Sequence, residues 1–171
     1  MTSKAAFVAR FLAVFALLIG LGWVTDAPAR YANALRVAAS ITSPLANGWS
    51  LEERPAAEGR QEIWFRRGND QLRLGLGLAA LALGMLPLLS LLGATPHLGL
   101  AGFAARAAIG VAALFALDLF VLLLYPWLVG SPNAFTDMLG TFLGLLTFVG
   151  GPVIVWFVLT FRQLSNVWRL S

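Results

Sequence analysis

Few side chains in this sequence could do chemistry, and they are scattered. Asp118 stands alone in the apolar run "LFALDLFVLLLYPW", residues 114 to 127. Glu52, Glu53, Glu58 and Glu62 could in principle divide the roles of general acid and base, as paired carboxylates in unlike surroundings do. The interspersed Arg54, Arg60, Arg66 and Arg67 instead predict a solvated surface of mixed charge. Ser43, Ser50 and Ser131 are nucleophiles without a base, because the single histidine, His97, is assigned to the opposite side of the chain's layout. Cysteine is absent, which removes thiolate chemistry, disulfides and cysteine metal sites, and one histidine cannot build a zinc centre. No catalytic, cofactor-binding or metal-ligating residue is expected.

The elements that would hold these groups are read from apolar runs. Of 171 residues, 59% are hydrophobic and 12% charged, a balance that makes lipid the expected solvent. Four runs are long enough for the roughly 30 Å hydrocarbon core, which takes about 20 helical residues. They lie in residues 1–25 (apolar from Ala6), 74–93, 103–127 and 138–161. Residues 26–73 form the one polar excursion between spans, and residues 162–171 are a short basic tail. The first half of the excursion predicts a helix along the membrane surface, with Tyr31, Leu35 and Ala38 on one face and Arg30, Asn33 and Arg36 elsewhere. The second half predicts strands at Trp49 to Arg54 and Gln61 to Arg67, then a turn at Gly68-Asn69-Asp70. So small a fragment has little core of its own and is expected to lean on the membrane or another protein.

Lys and Arg placement sets the expected orientation. With the amino terminus inside, Lys4, Arg10, Arg106, Arg162 and Arg169 fall on the cytoplasmic side, together with the carboxy terminus. The seven arginines of residues 26–73 conflict with that choice, but the six acids among them suit a translocated domain. Lys4 before an apolar run has a signal-anchor layout, and "APA" at Ala27 to Ala29 imitates a signal-peptidase site. The +4 net charge serves this topology; no basic stripe interleaved with aromatics suggests nucleic acid.

Glycine spacing carries the packing signals. "GLGLAA", Gly75 to Ala80, matches a dinucleotide-binding pattern only superficially, because the helix it opens is apolar on every face and no acid follows about 20 residues later. The better reading is a groove at Gly77, Ala80 and Gly84 that another backbone can approach. Gly140, Gly144, Thr147 and Gly151 fall on one helical face and predict a helix-helix seam, serving either the bundle or a second protein. Pro87 and Gly150-Gly151-Pro152 should bend their spans. Trp64, Phe65, Arg66 and Arg67 are an expected outer-surface patch, for a ligand or for interfacial anchoring.

Asp118 lies 12 residues beyond Arg106, roughly 18 Å along a helix, and so is expected near mid-membrane. An unpaired carboxylate there is costly. It could bond a carbonyl or a hydroxyl such as Thr147, pair with a basic residue on a partner, or form a proton or cation site. A proton path would want further polar groups across the membrane, and these spans supply almost none. Asp118 is read as glue, within the chain or to a neighbour.

The opening "FVARFLAVFALLIGLGW", the mixed-charge segment ending in "DQLRLGLGLAALALGMLPLLSLLGAT" and the following "RAAIGVAALFALDLF" together resemble exosortase H-associated membrane proteins. The resemblance implies an accessory role in sorting or processing proteins with carboxy-terminal membrane signals in a Gram-negative envelope, beside an exosortase-type protease or transpeptidase. It carries no functional residue over. The expectation is therefore an all-α membrane protein of four transmembrane helices with a small extracytoplasmic segment of short β-strands. Its partners would be the inner-membrane bilayer and an exosortase-type enzyme, its role non-enzymatic; a small transport component is the alternative.

Overall fold

In the computed structural model, which describes residues 4–55, 61–74, 77–130 and 133–168, the apolar runs form helices and the polar excursion forms a cap. Helix α1 (Lys4–Thr25) ends at Asp26, which adopts φ 53, and α2 (Ala27–Asn47) starts at once with Pro28 in its first turn. Aspartate is one of the few residues that visits the left-handed region at modest cost, so a single residue makes the corner. Strands β1 (Ser50–Pro55), β2 (Gln61–Arg67) and β3 (Asp70–Leu74) make an antiparallel sheet in that order. Arg67 pairs with Asp70 across Gly68-Asn69, and Gly68 supplies the φ of 59 that a two-residue hairpin needs at its first position.

After Gly77 come a short helix α3 (Leu78–Leu81), a tight 3-10 turn (Ala82–Gly84) and α4 (Met85–Ala94), which packs on α1. Helix α5 (Leu100–Gly130) is the longest, and α6 (Ala134–Leu145) runs through a π turn (Leu146–Gly150) into α7 (Gly151–Trp168). Asn133 and Thr136 cap α6 reciprocally through side chain and backbone. Pro152 has no amide proton to give the preceding turn, and the wide π turn takes up the mismatch.

Three of these units are long and apolar enough to cross a membrane: Lys4–Gly22, Leu100–Gly130 and Ala134–Ser165. The expected second span differs from 74–93. Leu74 is in β3, and the apolar stretch Leu78–Ala94 is shorter than the others and broken by the 3-10 turn. At 1.5 Å per residue it covers about 25 Å, short of a roughly 30 Å hydrocarbon core. The architecture is that of a mostly helical membrane protein with a three-stranded cap. The basic tail expected from residue 162 continues α7 as helix to Trp168. Glu58, Arg60, Gly75, Ser131 and Arg169 lie outside the described residues.

Two apolar cores hold the molecule. One joins Tyr31, Leu35 and Ala39 of α2 to Trp49 and Leu51 of β1, Ile63 and Phe65 of β2, Leu78 and Leu81 of α3, and Leu122 of α5. The other joins Leu88 and Leu92 of α4 to Leu114, Trp156 and Leu164 deeper in the bundle. The cap leans on its own chain. Helix α5, about 46 Å long, is longer than a roughly 30 Å hydrocarbon core requires, and its carboxy-terminal part is the pillar on which the sheet rests. Phe65 stacks on Tyr125 at 5.4 Å between ring centres, and the Tyr125 hydroxyl donates to the Arg73 carbonyl at 2.7 Å.

Helix α2 runs across α5. Tyr31 and Asn47 are 16 residues apart, roughly 24 Å of helix, yet they bond to Asp118 and Leu123, whose positions differ by only about 7.5 Å along α5. Tyr31, Leu35, Ala39 and Ser43 form its buried row. Its outward side divides into an apolar row, Val37, Ile41 and Leu45, and a polar row, Asn33, Arg36 and Ser40. That division suits a helix lying in the headgroup layer, the placement expected for the first half of the excursion.

Candidate functional site

Asp118 lies where the two cores meet, 3% exposed, and accepts a short hydrogen bond from the Tyr31 hydroxyl. The α2 cap therefore closes over the acid. Among the described residues the Tyr31 hydroxyl takes the place expected within the chain for Thr147, whose own hydroxyl bonds to none of them. Burial pushes the Tyr31 phenol well above its ordinary range, with the hydrogen bond and the charge of Asp118 adding to the shift. A phenol whose folded pKa is raised stabilises the fold below its unfolded value, about 10, and that contribution is lost as pH rises beyond it. Tyr31 is accordingly expected to stay protonated at about pH 11 and to ionise only as the protein unfolds. Ultraviolet difference titration against Tyr31→Phe checks this; reversible ionisation of Tyr31 in a folded protein near pH 10 would refute it.

A second buried polar knot pins the other end of α2. The Asn47 amide donates to the Leu123 carbonyl at 2.8 Å, while its side-chain oxygen accepts from the Trp49 amide at 3.1 Å and the Ser43 hydroxyl at 3.2 Å. Deeper in the bundle the Trp156 indole donates to the Thr95 hydroxyl at 2.9 Å, and Arg106 donates to the Leu159 carbonyl at 2.8 Å. These groups are consumed by bonds that fix helices to one another. Among the described residues no group of three His, Asp or Glu side chains could hold a metal ion.

The outer patch is organised by stacking. The Arg54 guanidinium lies 5.1 Å from the Trp64 ring centre and pairs with Glu52 at 2.7 Å, and Arg67 lies 4.6 Å from the Trp49 ring centre. The bond from Arg54 holds the Glu52 carboxyl below the usual carboxylate range. Arg73 pairs with Glu62 across the sheet. Trp64 is half-buried, and Arg66 and Arg67 are exposed. Phe65, expected in the same patch, is not at the surface: strand alternation turns it inward, and it is fully buried against Tyr125.

The glycine stripes separate into two kinds. A Cβ on Gly84 would lie 2.8 Å from the Thr147 carbonyl oxygen, and one on Gly151 would lie 2.7 Å from the Leu146 carbonyl oxygen and 3.0 Å from Leu117. These glycines are close-approach points inside the bundle. Gly77 caps α3 in extended conformation. Gly140 and Gly144 are different, since a Cβ on either would meet nothing within 4 Å. Both line a half-open groove of about 430 Å³ between α6, the outer part of α5, and Leu74 and Leu81. Asp137 and Thr141 stand at its outer end, Thr147 and Phe148 at its inner end. The Thr147 hydroxyl is buried there without a hydrogen-bond partner among the described residues. Sequence reasoning found the stripe and missed Tyr31 and Asn47 as the residues that satisfy the interior. Tyr31's place on the buried face of α2 was the available signal. No protein-family model, curated protein or solved structure matches this chain.

Proposed function

We propose that this protein is a non-enzymatic accessory subunit of a bacterial inner membrane, serving an exosortase-type partner in protein sorting or processing. One observation carries the reading: α6 turns a Gly-x-x-x-Gly pair, Gly140 and Gly144, onto a half-open groove beside α5, where an added Cβ would meet nothing within 4 Å. In lipid, helices associate by tight contact at small residues and by hydrogen bonds, so an exposed seam is a surface for another helix. The polar interior supports the same reading, because Asp118, Asn47, Thr95 and Arg106 are spent on internal bonds. The transport alternative loses its motivating residue, since Asp118 is covered by Tyr31.

Co-purification in mild detergent with an exosortase-type enzyme from the same cell tests the reading. The wild-type chain is expected to retain the enzyme and Gly144→Leu to lose it while keeping its own melting temperature. Retention by both variants would place the contact elsewhere, and retention by neither would remove the proposal. In the proposed orientation both termini are cytoplasmic, residues 26–73 are periplasmic, and Leu78–Ala94 completes a fourth crossing. Because the chain has no cysteine, single-cysteine labelling reads this directly. An impermeant maleimide should label Asn69→Cys in intact spheroplasts and His97→Cys only after lysis; the reverse pattern would invert the topology.

A further inference from the structure

We infer that the seam between α5 and α7, at the end of the bundle away from the cap, binds the headgroup of an anionic phospholipid through Arg106 and Arg162. The inference needs the chain to lie in a membrane and is independent of the partner proposed for α6. Gly110 lies against Leu159, and Gly151 against Leu114 and Leu117, so the two helices run antiparallel. The sheet rests at the far end of α5, on Leu122 and Tyr125. At the near end Arg106 is half-buried, and the groups that hold its guanidinium bear no charge. Its Nε donates to the Leu159 carbonyl at 2.8 Å, one terminal nitrogen donates to the Gly102 carbonyl at 3.3 Å, and the other donates to the Gln163 side-chain oxygen. Arg162 stands three residues beyond Leu159 on α7 and is exposed.

Carbonyl oxygens orient a guanidinium without neutralising it. The sequence places no aspartate or glutamate before residue 26, between residues 71 and 117, or after residue 137. Along α5 the nearest acid is Asp118, 12 residues from Arg106 and roughly 18 Å away. Neither arginine makes an ion pair among the described residues. This end of the bundle therefore draws its counter-charge from outside the chain. The bonds to Leu159, Gly102 and Gln163 use three of the five N–H groups of Arg106, and the remaining two, with the free head of Arg162, suit a phosphate, whose oxygens arginine meets in pairs.

Exposed apolar side chains choose a lipid as the source of that phosphate. Ile109 is one turn from Arg106 towards the cap and Val158 one turn from Arg162, and both are exposed on helices long and apolar enough to span a membrane. Residues three or four apart share a helix face, so each arginine has apolar surface beside it where an acyl chain can lie while the phosphate stays at headgroup level. A soluble phosphate would leave those side chains unused. A zwitterionic lipid brings its own ammonium and answers the charge less well. Basic sites between helices at a membrane surface bind anionic headgroups on these terms.

Native mass spectrometry of the full chain, incubated in detergent with dioleoyl phosphatidylglycerol, dioleoyl phosphatidylcholine or inorganic phosphate, reads the preference. Phosphatidylglycerol is expected to bind about twentyfold more tightly than phosphatidylcholine, roughly fivefold for each arginine. Arg162→Gln and Arg106→Gln should each reduce that preference about fivefold. Arg73→Gln removes the same charge from the cap and should leave the preference whole. Should Arg106→Gln fail to fold, Arg162→Gln decides alone, because Arg162 is exposed and its side chain makes no bond among the described residues. Equal binding of the two lipids overturns the inference. A preference that survives both arginine variants, or falls as far with Arg73→Gln, also overturns it, by assigning the effect to overall charge. Inorganic phosphate that binds as tightly as phosphatidylglycerol overturns it in favour of a soluble anion.

Discussion

Tyr31→Phe is expected to destabilise the detergent-solubilised protein by about 1.5–3 kcal/mol, the range for hydrogen bonds to charged groups. The substitution keeps the ring, its edge-on contact with Phe115 at 5.6 Å and its place in the outer core, and removes only the hydroxyl that Asp118 accepts from. The acid is then left in a site 3% exposed without that donor. Asp118→Asn retains an acceptor for the phenol and should cost less. Asp118→Leu in the Tyr31→Phe background removes both polar partners, and the pair should recover part of the loss, since apolar replacement of a whole buried pair is far less costly than orphaning one member. Thermal or denaturant unfolding of wild type and the three variants measures these differences. Equal stability of wild type and Tyr31→Phe would show that the phenol does not hold the acid.

Gly84→Ala should cost about 1–3 kcal/mol, the penalty typical of forced overpacking. The new Cβ would sit 2.8 Å from the Thr147 carbonyl oxygen, closer than real Cβ contacts allow, and the obstacle is backbone rather than a flexible side-chain tip. Relief would require the 3-10 turn before α4 to move away from the π turn before α7, opening a contact between two helix pairs. Gly144→Ala is the matched control, because a Cβ there meets nothing within 4 Å. It should leave melting unchanged in the isolated protein. A stripe that looks uniform in sequence is thus expected to split into a structural half and an open half. Equal losses at both positions would contradict the assignment of Gly140 and Gly144 to an open groove.

Much of the fold was legible because lipid and strand pleat impose simple periods. The alternation of Ile63 and Phe65 with Glu62, Trp64 and Arg66 placed β2 with its inward face, and Gly68-Asn69 marked the hairpin. The long helices followed from apolar runs. What local pattern does not contain is pairing between distant elements. Tyr31 and Asp118 are 87 positions apart, and nothing near Asp118 indicates that a surface helix will turn back over it. Counting from Arg106 along one helix gives the position of Asp118 on α5 and is silent on the Tyr31 hydroxyl that closes over it. Helix α2 fills the first half of the excursion through Pro44 to Asn47, where Asn47 is bracketed by Leu123, Ser43 and Trp49, contacts that the local pattern does not contain.

The candidate site was half legible. Spacing at steps of four, three and four put Gly140, Gly144, Thr147 and Gly151 on one face, but periodicity is silent on what the face meets. The π turn decides it: by widening the helix at Leu146–Gly150 it sends Gly151 into the bundle against Leu114 and Leu117, while α6 above it lines the groove. Phe65 was assigned to the outer patch from its neighbours Trp64 and Arg66, although the same alternation that identified the strand turns it inward.

We propose the open face of α6 as the surface on which a partner docks. A photoreactive amino acid placed at Gly144, and for comparison at Val158 on the exposed side of α7, tests it in living cells. A discrete adduct with an exosortase-type enzyme is expected from position 144 and none from position 158. An adduct with that enzyme from position 158 and none from position 144, or no protein adduct from either, would contradict it.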